Sequence, residues 1–101
     1  MYRGTTPKLT FTLSIAPSRF LKLYITAEQS GRVVFERTLD EVDKNDVTKS
    51  VSFRLTQDET LALSEKAQIF MQARGVMTDG NAVASDIVTT GVSRILKEGV
   101  I

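Results

Sequence analysis

Residues 8–14 read Lys-Leu-Thr-Phe-Thr-Leu-Ser, and apolar and polar side chains alternate along them without a fault. Successive side chains of an extended chain point to opposite faces, so Leu9, Phe11 and Leu13 share one face and the two threonines share the other. This pattern predicts a β-strand that is buried on one side only. Because several other segments repeat it, the pattern decides the fold class.

Four further segments carry strand patterns, at residues 20–29, 33–39, 47–55 and 66–78. The first of these is predicted to be a central strand because both of its faces carry large apolar side chains. Its buried face is predicted to consist of Leu21, Leu23, Ile25 and Ala27. The last segment, residues 81–96, is β-rich but interrupted, which predicts bends or two short strands.

Turn residues separate these segments. Pro17-Ser18-Arg19 predicts a turn or a single helical turn, and Gly31 predicts a hairpin between the second and third strands. Gly75 disturbs the alternation of its strand and predicts a bulge. Asp79-Gly80 predicts a hairpin with a type I′ turn.

One short helix is expected after the fourth strand. Thr56-Gln57-Asp58-Glu59 fits a capping box, in which the threonine side chain and the glutamate three residues later satisfy early helical N–H groups reciprocally. The helix is predicted to run to about residue 64 and to send Leu61 into the core.

Together these elements predict a mainly β chain with one domain over residues 1–101. The architecture expected is an immunoglobulin-like antiparallel β-sandwich of about six to seven strands with one short helix. A five-stranded oligonucleotide-binding barrel is the alternative, because a miscounted strand would place the helix where that fold has one.

The amino-acid composition argues against a catalytic site. The 101 residues include no cysteine and no histidine, which excludes histidine-dependent nucleophiles, thiolate metal sites and the usual near-neutral general base. Lys and Arg number 13 against 12 Asp and Glu, with the signs interspersed, so no basic face for nucleic acid is indicated. We therefore expect no enzyme activity, no cofactor and no small-molecule substrate.

The acidic segment at residues 40–46 fits either a calcium loop or a solvated connection between strands. An EF-hand loop that begins at Asp43 needs glycine at its sixth position and an acid at its twelfth, but the chain has Thr48 and Arg54 there. The segment is therefore predicted to be a solvated loop, and an irregular cation site is the alternative.

Candidate partner contacts come from the chain ends and from two aromatic residues on the more polar faces of their strands. Apolar termini dock on their own domain or on a neighbouring subunit, and exposed aromatics mark contact surfaces. The candidates are Tyr2, Arg3, Tyr24, Phe70, Val100 and Ile101.

Three stretches, residues 1–7, 55–61 and 95–101, resemble short, uncharacterised prophage structural proteins of Gram-positive bacteria. The arrangement is also similar to the N-terminal β-sandwich of phage baseplate upper proteins. The resemblance implies a non-enzymatic virion protein of the tail or baseplate that acts through protein–protein contacts, as a homo-oligomer or with other virion proteins. It carries over no functional residues.

The expected location is the virion. Residues 1–7 have no apolar run behind Arg3, so synthesis in the bacterial cytoplasm without a signal peptide is expected. No segment approaches the roughly 20 apolar residues of a membrane span. The alternative function is a module that binds carbohydrate or single-stranded nucleic acid through exposed aromatics.

Overall fold

A computed structural model describes residues 1–101 and shows eight strands, one α-helix and two 3₁₀ turns. The strands are β1 Lys8–Thr12, β2 Phe20–Gln29, β3 Arg32–Thr38, β4 Asp43–Asn45, β5 Ser50–Arg54, β6 Ile69–Met77, β7 Ala82–Ala84 and β8 Val88–Thr90. The helix, α1, is Gln57–Leu61, and the 3₁₀ turns are Pro17–Arg19 and Leu39–Glu41. The first 3₁₀ turn confirms the helical turn predicted at Pro17.

The strand count exceeds the predicted six to seven by one strand, β4. Within the segment predicted to be a solvated loop, residues 40–46, β4 pairs with β5 and Val42 is buried, so the loop prediction is wrong for this part. The final segment divides into β7 and β8, as the interruptions in its sequence predicted.

The smaller sheet has the order β1-β5-β4 and is antiparallel throughout. Its central strand, β5, confirms the predicted alternation, because Val51 and Phe53 are buried whereas Arg54 is exposed. The strand β1 pairs along its full length with β5, from Lys8 opposite Arg54 to Thr12 opposite Ser50. The other long edge of β1 has no neighbouring strand.

The larger sheet has the order β3-β2-β6-β7, with β8 also paired to β6. Since β2 occupies one edge of β6, the short strands β7 and β8 share the other edge in succession. The strand β7 pairs with residues 74–76 of β6, and β8 pairs with residues 69–71. The strand β2 lies between β3 and β6, which confirms its predicted central position.

The two sheets pack face to face on one cluster of 15 buried hydrophobic residues. Phe35 of β3 and Phe53 of β5 join the sheets, with ring centroids 6.2 Å apart. Each large apolar side chain buried here contributes about 1.5–3 kcal/mol. The mainly β, two-sheet antiparallel fold is therefore confirmed, and the barrel alternative is wrong because the sheets share no strand. The immunoglobulin-like topology stays a prediction.

The buried face of β2 differs from the prediction at its first residues. The pairing of β2 with β6 shifts register between Phe20 and Lys22, which places a bulge at Leu21. A bulge reverses the face on which the preceding residues lie. Phe20 is consequently buried and Leu21 is 63% exposed, so the assignment of Leu21 to the core is wrong, whereas Leu23 is buried as predicted.

The bulge predicted at Gly75 lies instead on the opposite strand. Gly75 keeps a regular pair with Leu23, and the irregularity is at Leu21 of β2. A Cβ atom on Gly75 would lie 2.5 Å from the backbone oxygen of Lys22 and 2.8 Å from Cδ1 of Phe20. Glycine is thus required here by close approach of the bulged strand.

The two predicted hairpins are present, with different turns. Ser30 and Gly31 both have positive φ, 53° and 78°, as a type I′ turn requires. At the β6–β7 connection only Gly80 has positive φ, and Met77 N–H donates to Asn81 O at 2.8 Å. This is a three-residue loop, so the type I′ prediction is wrong although the hairpin is confirmed.

The helix α1 begins with the predicted capping box. The Glu59 N–H donates to Oγ1 of Thr56 at 3.1 Å, and the Thr56 N–H donates to Oε1 of Glu59 at 2.9 Å. The helix ends at Leu61, earlier than predicted. Its fully buried residue is Thr60, whose hydroxyl donates to Thr5 O at 2.8 Å, whereas Leu61 is only partly buried. No helix of the structure has the length and apolar character to cross a membrane.

Candidate protein-binding surfaces

The N-terminal residues form a short parallel bridge with the C-terminal region. Tyr2 pairs with Ser93, and the Ser93 N–H donates to Met1 O at 2.7 Å. The amino group of Met1 donates to Gly91 O at 3.0 Å. The backbone at this end is therefore docked on its own chain, while the Tyr2 side chain stays exposed.

The C-terminal residues also dock through their backbone. Gln57, the first residue of α1, donates from Nε2 to Ile101 O at 3.1 Å and accepts from the Ile101 N–H at 2.9 Å. The side chains of Val100 and Ile101 remain exposed, Ile101 to 87%. Both chain ends are thus fixed on this chain, and their apolar side chains are free to contact a neighbour.

The Arg3 side chain binds to other parts of its own chain. Its guanidinium donates to the carbonyl oxygens of Leu61 at 2.8 Å and Leu63 at 2.9 Å, which lie at the C-terminal end of α1. It also forms an ion pair with Glu98 at 2.6 Å. Cations are favourable beside the last carbonyls of a helix. Among the predicted contact residues, Arg3 therefore has a structural role within the chain.

Tyr24 and Phe70 lie on the same outer face of the larger sheet. Their neighbours in sequence, Leu23, Ile25, Ile69 and Met71, are buried on the opposite face. Both aromatic residues are 43% exposed. Tyr24 is opposite Arg74 of β6 and Phe70 is opposite Glu28 of β2. Four positions along the strand separate them, which corresponds to about 13 Å.

A groove of about 630 Å³ opens between the two sheets on the side where β1 and β7 form their edges. Its lining is mainly apolar. Leu9 and Phe11 of β1 line one wall, Val83 of β7 lines the other, and Met71 and Ala73 of β6 form part of the floor. Leu9, Phe11 and Val83 are packed against the core and only partly buried. The groove is therefore a place where the sandwich is left open.

Both walls of this groove carry unpaired backbone groups. The Leu55 N–H donates to Pro7 O at 3.1 Å and the Leu13 N–H donates to Lys49 O at 2.7 Å, so odd-numbered residues of β1 face β5. In an antiparallel ladder the alternate residues face the other way, which here means Lys8, Thr10 and Thr12. By the same alternation, Ala82 and Ala84 of β7 direct their N–H and C=O groups away from β6.

Two carboxylates of the acidic segment at residues 40–46, those of Glu41 and Asp46, accept hydrogen bonds from nearby residues. The backbone N–H and hydroxyl of Thr38, at 3.0 and 2.9 Å, lower the pKa of the Glu41 carboxyl. Hydrogen bonding from Ser18, through its side chain and its backbone N–H at 3.0 Å, lowers the pKa of Asp46. No three acidic, histidine or cysteine side chains come together in the molecule in a way that could hold a metal ion.

An ion pair that is shielded from solvent more than the Arg3–Glu98 pair joins the larger sheet to α1. Arg37 of β3 makes a two-pronged contact with Glu59, at 2.8 and 2.6 Å, and its guanidinium lies 5.3 Å from the centre of the Phe53 ring. Hydrogen bonding from Arg37 lowers the pKa of the Glu59 carboxyl, and the Thr56 backbone N–H adds to this effect. The pair therefore fixes the N-terminus of α1 against β3.

Replacing Glu59 with glutamine should destabilise the protein at neutral pH by about 1–2 kcal/mol, because a charge-assisted hydrogen bond to Arg37 is lost. The folded-state pKa of Glu59 is lowered, so its contribution is present above its ordinary pKa of 4.5 and is lost as pH falls through the folded value. Urea unfolding of wild type and Glu59→Gln at several pH values should give curves that converge in acid.

The matched control is Glu98→Gln, which removes the carboxylate of the more exposed Arg3 pair. Exposed pairs are worth about 0.2–1 kcal/mol, so a smaller loss is expected there. A difference between wild type and Glu59→Gln that is independent of pH would contradict the assignment of this stabilisation to the Glu59 charge.

The fold and these surfaces define a small two-sheet β protein with free strand edges and an open side. No known protein family, no curated protein and no solved structure matches the chain.

The groove and the free edge of β1 were missed by the sequence reasoning. No local signal marks this edge, because residues 9–13 lack the charge, proline and glycine by which protected edge strands are recognised. The alternation of residues 8–14 predicts which face of β1 is buried. It does not show which of its two edges lacks a neighbour.

Proposed function

We propose that the chain is a non-enzymatic structural or accessory protein of a phage or prophage virion, and that it acts through protein–protein contacts. The observation that carries this proposal is the open side of the sandwich, where a mainly apolar groove lies between two strand edges with unpaired backbone groups. Such edges bind an additional strand through main-chain hydrogen bonds, while the apolar wall accepts alternate side chains.

The placement in a virion is supported by the resemblance of residues 1–7, 55–61 and 95–101 to prophage structural proteins. A tail or baseplate location is supported by exposed apolar side chains that an assembly can cover, among them Tyr2, Val100 and Ile101. Synthesis in the bacterial cytoplasm and incorporation into the particle follow from this assignment.

Mass spectrometry of gradient-purified particles, from a lysogen that carries the gene, tests the proposal. The chain should be present at a fixed ratio to the major tail proteins and should stay with the particles through repeated banding. Recovery only in the soluble fraction of the lysate, with intact particles that lack the chain, would overturn it.

A second candidate function is supported by Tyr24 and Phe70, which are half-exposed on one face. Aromatic side chains on an open sheet face stack against sugar rings or nucleobases, and each stacked base contributes about 1–3 kcal/mol. The chain would then be a binding module for carbohydrate or single-stranded nucleic acid.

If this second function holds, Phe70→Ala should lower the affinity for the ligand by about ten-fold or more. Binding of glycans and oligonucleotides is measured by quenching of tyrosine fluorescence in a Tyr2→Phe background, so that Tyr24 is the reporter. Val47→Ala, which truncates an exposed side chain in the β4–β5 turn, is the matched control. Equal affinities in the two variants would exclude Phe70 from the binding surface.

A further inference from the structure

The exposed surface of the molecule is larger than its mass predicts. A compact monomer of 11.2 kDa exposes about 5,700 Å², whereas this chain exposes 6391 Å². The excess, about 700 Å², is close to the area that one partner buries in a stable protein–protein interface. The groove beside β1 contributes to this exposed surface, because Leu9, Phe11 and Val83 line it at the edge of the core and are only partly buried.

Among the long strand edges, that of β1 is unprotected. The edge strand β3 carries Arg32, Glu36 and Arg37 and has a register shift against β2, and both features discourage pairing with another chain. The edge strands β4, β7 and β8 have only three residues each. By contrast, β1 has five residues in regular register, and its only charge is Lys8 at one end.

The free edge of β1 is complementary to itself. In an antiparallel pair of two β1 strands centred on Thr10, Thr10 is opposite its own copy and Lys8 is opposite Thr12. Each of these three residues then exchanges its N–H and C=O with the second chain. Registers centred on Leu9 or Phe11 leave one of the three residues without a partner on each chain.

The side chains are compatible in the same register. Leu9 and Phe11 lie opposite each other at the closely spaced positions, on the groove side of the sheet, where apolar cross-strand pairs are stabilising. On the outer side Lys8 meets Thr12, so no like charges are opposed. The net charge of +1 does not oppose association.

We propose that the groove is closed by a second copy of this chain, through antiparallel pairing of β1 with β1 across a two-fold axis at Thr10. This inference rests on the proposed function and names the partner at the open side of the sandwich. The pairing joins the two smaller sheets into one continuous sheet, and it brings the apolar side chains of the second β1 over the exposed margin of the core.

Disulfide trapping tests the register. Residues opposite each other in the hydrogen-bonded positions have Cα atoms about 5.5 Å apart, which is within the range of a disulfide. Since the chain has no cysteine, Thr10→Cys introduces a single thiol at the axis. Thr12→Cys is the matched control, because its copy would lie about 14 Å away. Mild oxidation should cross-link Thr10→Cys rapidly and Thr12→Cys far more slowly.

Sedimentation equilibrium over a concentration series tests the association itself. Wild type should be dimeric, and Thr10→Lys should weaken the dimer about five-fold or more, because two lysines then face each other at the axis. Thr78→Lys makes the same change in the β6–β7 turn, outside the groove, and should leave the dimer unchanged. Far-ultraviolet circular dichroism checks that each variant is folded.

A wild-type chain that is monomeric at high concentration would overturn this inference, as would equal cross-linking of the two cysteine variants. The proposed function fails separately, by absence of the chain from purified particles. A monomer that is present in particles therefore contradicts the dimer alone, and a β1-paired dimer that is absent from particles contradicts the virion role alone.

Discussion

Leu23→Ala is expected to remove about 2–5 kcal/mol of the free energy of unfolding. Leu23 is only 2% exposed and lies on β2, the strand that pairs with both β3 and β6. Truncation leaves a cavity between the two sheets, and the pairing of Leu23 with Gly75 and of Tyr24 with Thr38 restricts relaxation into that cavity. Because a domain of this size is stable by only about 5–15 kcal/mol, the loss is a large part of the total.

Leu21→Ala is the matched control, since it deletes the same atoms two positions away on the same strand. Leu21 is 63% exposed at the bulge, so a change within about 0.5 kcal/mol is expected. Chemical denaturation of both variants, with the midpoint and slope fitted together, gives the comparison. Equal losses would mean that Leu21 is buried and that β2 has no bulge.

Gly75→Ala should destabilise the protein by about 1–3 kcal/mol or more, although alanine has the better intrinsic propensity. The added methyl group would lie 2.5 Å from the Lys22 backbone oxygen, which belongs to a paired strand and has little freedom to move. Relief requires a shift of β2 at its bulge, and this shift would disturb Phe20 in the core.

Gly91→Ala is the control for this substitution. A Cβ atom at Gly91 has no neighbouring atom within 4 Å, and its φ is outside the left-handed region. We expect a change within about 0.5 kcal/mol, or a slight gain from reduced freedom of the unfolded chain. Thermal unfolding separates the two variants, and a tolerated Gly75→Ala would show that β2 and β6 are farther apart than in this structure.

The sequence predicted those features of the fold that depend on local pattern. The alternation in residues 20–29 gave β2 with its observed bounds, and Thr56 with Glu59 gave the start of α1. The face of Leu21 was assigned wrongly, because a bulge changes the period by one residue and leaves no local signature at that position. Gly75 did mark the irregularity, but the sequence could not show that the bulge lies on the opposite strand.

The candidate contact surfaces were predictable to a smaller extent. Polar neighbours drew attention to Tyr24 and Phe70, and both are half-exposed. Their position on one face follows from the register of β2 with β6, which is a long-range property. The structural role of Arg3 and the open edge of β1 depend on which elements become neighbours in space, and one sequence does not specify this.

The bridge between Tyr2 and Ser93 has a consequence for the order of folding. The Met1 amino group and its acceptor, Gly91 O, are 90 residues apart in sequence, so the two ends must find each other across nearly the whole chain. This closure depends on few backbone hydrogen bonds at an exposed location. The bridge should therefore form after the sheets have assembled. In hydrogen-exchange experiments the amides of Arg3 and Ser93 should lose protection long before those of β2.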